Sequence, residues 1–234
     1  MVDIDIETRL YQIREKIKYS LNKSGRSESS VVLLGACKQV SYQRILDAVN
    51  LGLDHLGENR VQEAESKFDV TDLPHGLKSL QLIGPLQSNK VRRAVQMFDV
   101  IQSVDSAKLA DRIDVVAGEM KKITKIYLEI NLSGEDTKTG INLREFDEVV
   151  EFIIAKPNIE LTGLMTVPPH SVDPENSRSY FQQLRSLRDS IGKNTSIQVE
   201  QVGLSMGMTN DFEVAIEEGA TLVRLGSAIW GPRE

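Results

Sequence analysis

Residues 31–38 read VVLLGACK, a run of seven apolar or small residues followed by a lysine. An uninterrupted apolar run of this length is typical of a strand buried on both faces, as in a parallel sheet covered by helices. The segment that follows opens with Ser41, a helix-capping residue, and closes with Gly52, a helix terminator. Residues 31–52 therefore predict one buried strand that leads directly into one helix.

The same alternation of strand and helix signals continues along the chain. Strands are predicted at 31–37, 53–59, 77–84, 99–104, 125–133, 159–167, 196–204 and 221–231. Helical spacing of apolar residues also predicts a helix over 5–23, before the first strand. Strict alternation implies parallel strands joined by helical crossovers. Eight such units in 234 residues predict one α/β domain over 1–234, a (β/α)8 TIM barrel, with a doubly wound open sheet as the alternative.

Composition and charge exclude several classes of protein. The 28 basic and 34 acidic residues give a formal net charge of −6, which argues against nucleic acid as a partner. The single cysteine, Cys37, leaves no disulfide within the chain, and the three histidines lack the spacing of metal ligands. No apolar segment resembles an export signal or a membrane span. We expect a soluble, cytoplasmic monomer with no metal and no membrane contact.

Lys38 is the most informative residue at the predicted strand ends, which is where barrel proteins place their chemistry. Side chains alternate along a strand, so Lys38 shares a face with Leu34 and Ala36 and emerges from an apolar wall. An amine kept from water loses its proton more easily and becomes a nucleophile for aldehydes. The alternative is an ordinary solvated lysine at the end of a strand.

Two glycine-containing segments predict a phosphate site after the seventh and eighth strands, where many barrels bind phosphate. Residues 204–211 (LSMGMTND) offer free N–H groups before a predicted helix, whose N-terminus attracts anions. In residues 223–231 (VRLGSAIWG), Gly226 lets a ligand approach the backbone closely. Together with Lys38, these segments predict a ligand with an aldehyde at one end and a phosphate at the other.

Arg224 lies on the same face of the last predicted strand as Gly226. One interpretation is that its guanidinium group reaches the ring of a bound ligand. The other is that it forms an ion pair inside the barrel with a strand carboxylate, such as Glu129 or Glu200. Glu129 shares its own face with Asn131, so both are candidates for the barrel interior. The pattern alone leaves these interpretations open.

Seven segments, taken in order, closely resemble the pyridoxal phosphate homeostasis proteins. They are GACKQV (35–40), HLGENRVQEA (55–64), LIGPLQSNK (82–90), SGEDTKTGI (133–141), LTGLMTV (161–167), LSMGMTNDFEVAI (204–216) and VRLGSAIWGPR (223–233). The resemblance spans nearly the whole chain. It implies a barrel similar to the N-terminal domain of alanine racemase, with pyridoxal 5′-phosphate (PLP) bound to a lysine. At Trp230 the family more usually has phenylalanine, which predicts only a change of packing.

The resemblance implies eight cofactor-binding residues and assigns none of them to catalysis. They are Lys38 as the lysine of the internal aldimine, Asn59 and Met165 beside the ring, Arg224 at the ring nitrogen, and Ser205, Met206, Gly226 and Ser227 at the phosphate. Lys138 corresponds to a family lysine near the mouth of the site and is a candidate for an accessory role.

Two chemical arguments weigh against catalysis. An arginine at the ring nitrogen opposes protonation of that nitrogen by charge repulsion, which weakens PLP as an electron sink. Racemisation also needs a base on each face of the substrate. In alanine racemase the second base is a tyrosine of a separate domain, whereas all five tyrosines here fall on predicted helices or within strands.

We therefore expect a non-catalytic PLP-binding protein that serves vitamin B6 homeostasis and amino-acid balance. Apo PLP-dependent enzymes are the candidate recipients of its cofactor. One alternative is a PLP-dependent amino-acid racemase or decarboxylase that uses the same lysine. Another is an aldolase that acts on phosphorylated sugars through Lys38 without a cofactor.

Overall fold

Eight parallel strands close into a barrel in the computed structural model, which describes residues 5–135, 139–195 and 197–231. Each strand pairs with the next along the chain, and the first pairs with the eighth. The predicted barrel is therefore confirmed, and the open sheet is wrong. The strands are β1 (Val32–Ala36), β2 (His55–Glu58), β3 (Ser79–Leu82), β4 (Val100–Val104), β5 (Thr124–Glu129), β6 (Ile159–Met165), β7 (Gly203–Ser205) and β8 (Leu222–Leu225).

Helices alternate with these strands along the chain. They are α1 (Ile6–Lys23), α2 (Tyr42–Asn50), α3 (Val61–Lys67), α4 (Val91–Met97), α5 (Ala107–Glu119), α6 (Phe146–Ile154), α7 (Arg178–Asn194), α8 (Phe212–Glu217) and α9 (Ser227–Trp230). The helix predicted over 5–23 is confirmed as α1, which buries Leu10, Ile13 and Leu21 and packs on α8 and α9. Within the described ranges, none of the helices is both long and apolar enough to cross a membrane.

The seventh strand is much shorter than the predicted 196–204. Residues Val199–Gln201 form a 3-10 turn, and only Gly203–Ser205 joins the sheet. A Cβ atom on Gly203 would lie 2.7 Å from Oη of Tyr127, so the bare backbone is what lets the strand fit beside that side chain. A turn whose apolar residues reach the core has the same short run of apolar residues in its sequence as a buried strand. The predicted strand was too long for this reason.

Six of the other predicted strands also end early at the C-terminal mouth of the barrel, the end at which all the parallel strands finish, and two of these ends bear on the site. β1 stops at Ala36, so Lys38 lies in a turn beyond the strand. β8 stops at Leu225, because Gly226 leaves the extended conformation with φ −111° and ψ −86° and α9 begins directly after it. Lys38 and Gly226 are therefore carried by segments just beyond the strands, which the sheet holds in place.

Two serines at helix N-caps provide a matched test of how the helices are held. Ser106 caps α5 and its hydroxyl accepts a hydrogen bond from the N–H of Leu109, whereas Ser41 caps α2 without any side-chain hydrogen bond. We expect Ser106→Ala to lower the free energy of unfolding by about 1 kcal/mol. Ser41→Ala should lower it by only about 0.3 kcal/mol, because no hydrogen bond is lost. Urea unfolding of both variants measures the difference. Equal losses would show that the Ser106 hydroxyl does not stabilise α5.

Candidate functional site

Lys38 lies at the C-terminal mouth, half-buried, two residues beyond the end of β1. One cleft beside it, of about 460 Å³, is also lined by Gly226 and Ser227. A second cleft, of about 660 Å³, is also lined by Asn59 and Lys90. Lys38 therefore borders both the residues expected at a phosphate and a residue expected beside a ring.

Arg224 extends from β8 into the barrel interior, where only 5 % of it is exposed. Its Nη1 donates to the carbonyl oxygen of Ser205 at 2.7 Å and to the hydroxyl of the same residue at 2.5 Å. Its Nη2 donates to the carbonyl oxygen of Thr166 at 2.8 Å. Among the described residues no carboxylate pairs directly with the guanidinium group, so the interpretation of Arg224 as the partner of Glu129 or Glu200 in a direct ion pair is wrong.

Hydrogen bonds continue from Arg224 across the interior of the barrel. The Ser205 hydroxyl donates to Oε1 of Gln102 at 2.5 Å, and Nε2 of Gln102 donates to Oε1 of Gln81 at 2.6 Å. All four side chains are buried. Each of these four buried side chains has at least one partner within the network, and connected hydrogen bonds of this kind hold their members in one orientation. Gln81 and Gln102 are therefore part of the support of Arg224, although no strand-end signal pointed to them.

Two buried ionisable groups share this interior layer. Burial lowers the pKa of Arg224 to about 10, while the charge of Glu129 opposes that change, so Arg224 is a cation at neutral pH. Burial raises the pKa of Glu129, and a 2.7 Å hydrogen bond from Oγ1 of Thr139 and the charge of Arg224 both act against this rise. Asn131, which was expected on the same face, instead accepts a hydrogen bond from Ser133 in its own loop.

The loop after β7 is largely bonded within the protein. The Ser205 hydroxyl belongs to the interior hydrogen bonds, and the N–H of Met206 donates to the carbonyl oxygen of Leu222 at 3.1 Å. The N–H of Met208 donates to Oδ1 of Asp211 at 2.7 Å. The expectation of free N–H groups in this loop is therefore wrong at Met206 and Met208. The assignment of Ser205 and Met206 to a phosphate stays a prediction.

Two exposed hydroxyl groups meet at the mouth, those of Thr209 and Ser227, which we call the hydroxyl pair. Their oxygen atoms lie 3.3 Å apart, and the N–H of Ala228 donates to Oγ1 of Thr209 at 3.3 Å. A Cβ atom on neighbouring Gly226 would find nothing closer than the carbonyl oxygen of Ala36 at 3.7 Å, so there is open space above this backbone. Thr209 was not among the predicted site residues, although it stands in the quoted segment LSMGMTND.

The two residues predicted beside a ring are placed by close contacts between strands. Asn59 follows β2, and its carbonyl oxygen would lie 2.4 Å from a Cβ atom on Gly84, so the glycine lets the ends of β2 and β3 approach. Met165 ends β6, is buried, and pairs in register with Ser205 of β7. Lys138, the candidate for an accessory role, lies outside the described residues.

Trp230 does more than change the packing, which corrects the sequence-based expectation. Its indole Nε1–H donates to the carbonyl oxygen of Ala36 at 2.9 Å, a bond that phenylalanine could not make. Its own carbonyl oxygen accepts from Nη2 of Arg44 at 2.7 Å. Trp230 therefore ties the end of β1, just before Lys38, to the helix that follows β8.

Comparison with known proteins identifies the class of barrel. The model of the alanine racemase N-terminal domain family matches residues 10–234. Alanine racemase of Clostridium difficile 630 superimposes with a TM-score of 0.68 over 94 % of this chain and 57 % of that one, at 15 % identity. The chain is thus a barrel of the alanine racemase N-terminal type.

Proteins with higher sequence identity to this chain show which family within this class it belongs to. A pyridoxal phosphate homeostasis protein of Aquifex aeolicus is 40 % identical over 97 % of both chains. PipY of Synechococcus elongatus, whose structure was solved with PLP bound, is 32 % identical, with a TM-score of 0.83 over 97 % of this chain and all of the other. The chain belongs to the pyridoxal phosphate homeostasis protein family.

Substitution of Arg224 tests the interior network. We expect Arg224→Met to lower the free energy of unfolding by about 2–4 kcal/mol, because carbonyl oxygens of Thr166 and Ser205 lose their buried donor. As a control, Arg92→Met removes an arginine whose partner, Glu119, is on the surface, so the loss should stay below about 1 kcal/mol. Denaturant unfolding distinguishes the two. Similar losses in both variants would contradict a supporting role for the interior bonds.

Proposed function

We propose that this chain binds PLP covalently through Lys38 and serves PLP homeostasis in the cytoplasm as a single binding domain, without catalysing a reaction of amino acids. The observation that carries the proposal is the position of Lys38, which borders one cleft with Gly226 and Ser227 and another with Asn59. Relatives named for PLP homeostasis and a PLP-bound relative at 32 % identity support PLP as the ligand.

The donor groups of the mouth fit the chemistry of PLP. An aldehyde calls for a primary amine, which Lys38 offers, and the bond between its Nζ and the aldehyde carbon forms with loss of water. A phosphate calls for hydrogen-bond donors, which the hydroxyl pair offers beside the open backbone of Gly226. Arg224, a buried cation with donors only, suits a ring nitrogen that accepts a hydrogen bond.

The arrangement around Arg224 disfavours catalysis. When bound, PLP supplies an electron sink that is strongest with a protonated ring nitrogen. The guanidinium group carries a fixed positive charge and has no lone pair to accept a proton, so it keeps a proton away from that position. Its bonds to Ser205 and Thr166 prevent it from turning aside. The five tyrosines do not line either cleft beside Lys38, so a second base of this kind is not offered there.

Two lysines of the same mouth give a matched test of covalent attachment. We expect the wild type and Lys90→Ala to develop the visible absorbance band of lysine-linked PLP, and Lys38→Ala to show none, because Lys38 is the one lysine among the described residues that lines both clefts. Borohydride reduction followed by peptide mass analysis locates the modified lysine. A band that persists in Lys38→Ala, or a label on another lysine, would rule out the assignment.

Assays of turnover with the same proteins test the non-catalytic role. PLP-loaded wild type is incubated with each amino acid, and racemisation and decarboxylation are followed by chiral chromatography and carbon dioxide release. No turnover above that of free PLP is expected. A rate that depends on Lys38 would support the alternative, a racemase or decarboxylase.

The hydroxyl pair is tested by comparing PLP with pyridoxal, which lacks the phosphate. We expect Ser227→Ala and Thr209→Val each to weaken PLP binding about tenfold, since a hydrogen bond to a charged group contributes about 1.5 kcal/mol or more. Binding of pyridoxal should change little. Titrations followed by absorbance give both affinities for each variant. Equal weakening for the two ligands would place the phosphate elsewhere.

A further inference from the structure

The turn that carries Lys38 is held by α3 on both sides of that residue. Before it, the carbonyl oxygen of Cys37 accepts a hydrogen bond from Nζ of Lys67 at 2.7 Å. After it, the N–H of Gln39 donates to Oε1 of Glu63 at 2.6 Å. The peptide groups that flank Lys38 are therefore both fixed by side chains of one short helix.

Lys67 uses all its donors in this arrangement. Its ammonium group donates to the Cys37 carbonyl oxygen, to Oε1 of Glu58 at 2.8 Å and to Oε1 of Glu63 at 2.8 Å. These three acceptors match the three protons that the ammonium group carries. Burial acts to lower the pKa of Lys67, but the hydrogen bonds to Glu58 and Glu63 raise it above its ordinary value. The ammonium group therefore keeps its charge, and it links the Lys38 turn, the end of β2 and α3.

Glu58 shows that this cluster is more than packing. It is the last residue of β2, its side chain is 0 % exposed, and its Oε2 has no hydrogen-bond partner among the residues that the structure describes. Burying a carboxylate with an unsatisfied oxygen is unfavourable, and apolar residues of similar size often stabilise a fold equally well. Glu58 also directly precedes Asn59, so the same cluster reaches the second cleft beside Lys38.

Gln39 provides an independent sign of constraint. Its φ of +62° lies in the left-handed region, which residues other than glycine adopt at a cost in free energy. Strained backbone of this kind persists where surrounding contacts enforce it, and it concentrates at functional sites. Here the bond from the Gln39 N–H to Glu63 is the contact that holds the strained peptide, directly after Lys38.

We propose that Glu58, Lys67 and Glu63 are positioning residues that hold the Lys38 turn in its binding geometry before any ligand arrives. This inference rests on the proposed attachment of PLP to Lys38. Lys67 acts through the Cys37 carbonyl oxygen before Lys38, and through Glu63 on the Gln39 N–H after it. Preorganisation of this kind strengthens binding because less conformational freedom is lost when a ligand binds.

Two carboxylates of α3 allow a matched experiment. Glu63→Ala removes the acceptor of the Gln39 N–H, while Glu65→Ala removes a carboxylate of the same helix that pairs with Arg93 on the surface. In the ligand-free protein we expect hydrogen exchange of the Gln39 amide to accelerate at least about tenfold in Glu63→Ala and to stay unchanged in Glu65→Ala. With PLP, the equilibrium constant for the visible band should fall about tenfold in Glu63→Ala only.

Rescue by a conservative variant separates positioning from general loss of stability. Glu63→Gln retains a carbonyl oxygen for the Gln39 N–H, so it should recover most of the exchange protection and of the PLP affinity. An unchanged Gln39 amide, or unchanged PLP affinity, in Glu63→Ala would overturn the proposal. If Glu63→Ala does not fold, Glu63→Gln is compared with a folded Glu63→Asp variant. The proposal is overturned as well if Glu63→Gln binds PLP no more tightly than Glu63→Asp. Absence of a band in the wild type would instead refute PLP attachment, while the exchange measurement would still decide whether Glu63 holds the turn.

Discussion

Closure of the barrel between its first and last strands is the constraint on which the site depends. β1 and β8 pair in parallel, with Leu34 opposite Arg224 and Gly35 opposite Leu225. This pairing brings the turn that carries Lys38 next to the turn that carries Gly226 and Ser227, which are far away in the sequence. The indole N–H of Trp230 adds a bond to the carbonyl oxygen of Ala36 at the same seam. Without closure, the amine and the hydroxyl pair would lie at opposite edges of a sheet.

The interior of this barrel is unusual in carrying a connected set of polar side chains. Barrel interiors are generally filled by branched apolar residues. Here Gln81, Gln102, Ser205 and Arg224 form connected hydrogen bonds, so a buried cation is tolerated. The cost of removing the guanidinium group from water is offset by three bonds to fixed acceptors and by the nearby charge of Glu129. The barrel thus holds a positive charge at neutral pH, fixed in its interior by bonds to Ser205 and Thr166.

The sequence alone supports the architecture well and the site in part. Periodicity identified the alternation of strands and helices because each element must bury one face, and that requirement leaves a local pattern. Parity placed Arg224 on the same face of β8 as Gly226 but left its contacts open, and the structure buries its side chain. Parity could not show that the Ser205 hydroxyl bonds Gln102, since those residues are 103 positions apart and neither has a local signal for the other. Nor could it separate a 3-10 turn over Val199–Gln201 from a strand, or show that the Met206 and Met208 amides are already bonded.

The packing of α1 on α8 and α9 affects the order in which the parts of the barrel come together during synthesis of the chain. A chain is synthesised from its N-terminus, so Lys38 and α1 leave the ribosome long before their partners in the last two units. During that interval the lysine exists, but the arginine and the hydroxyl pair do not yet stand beside it. The amine, the arginine and the hydroxyl pair therefore come together only when β8 pairs with β1 and closes the barrel. The arrangement at the mouth is in this way a property of the completed barrel, and no earlier part of the chain holds it.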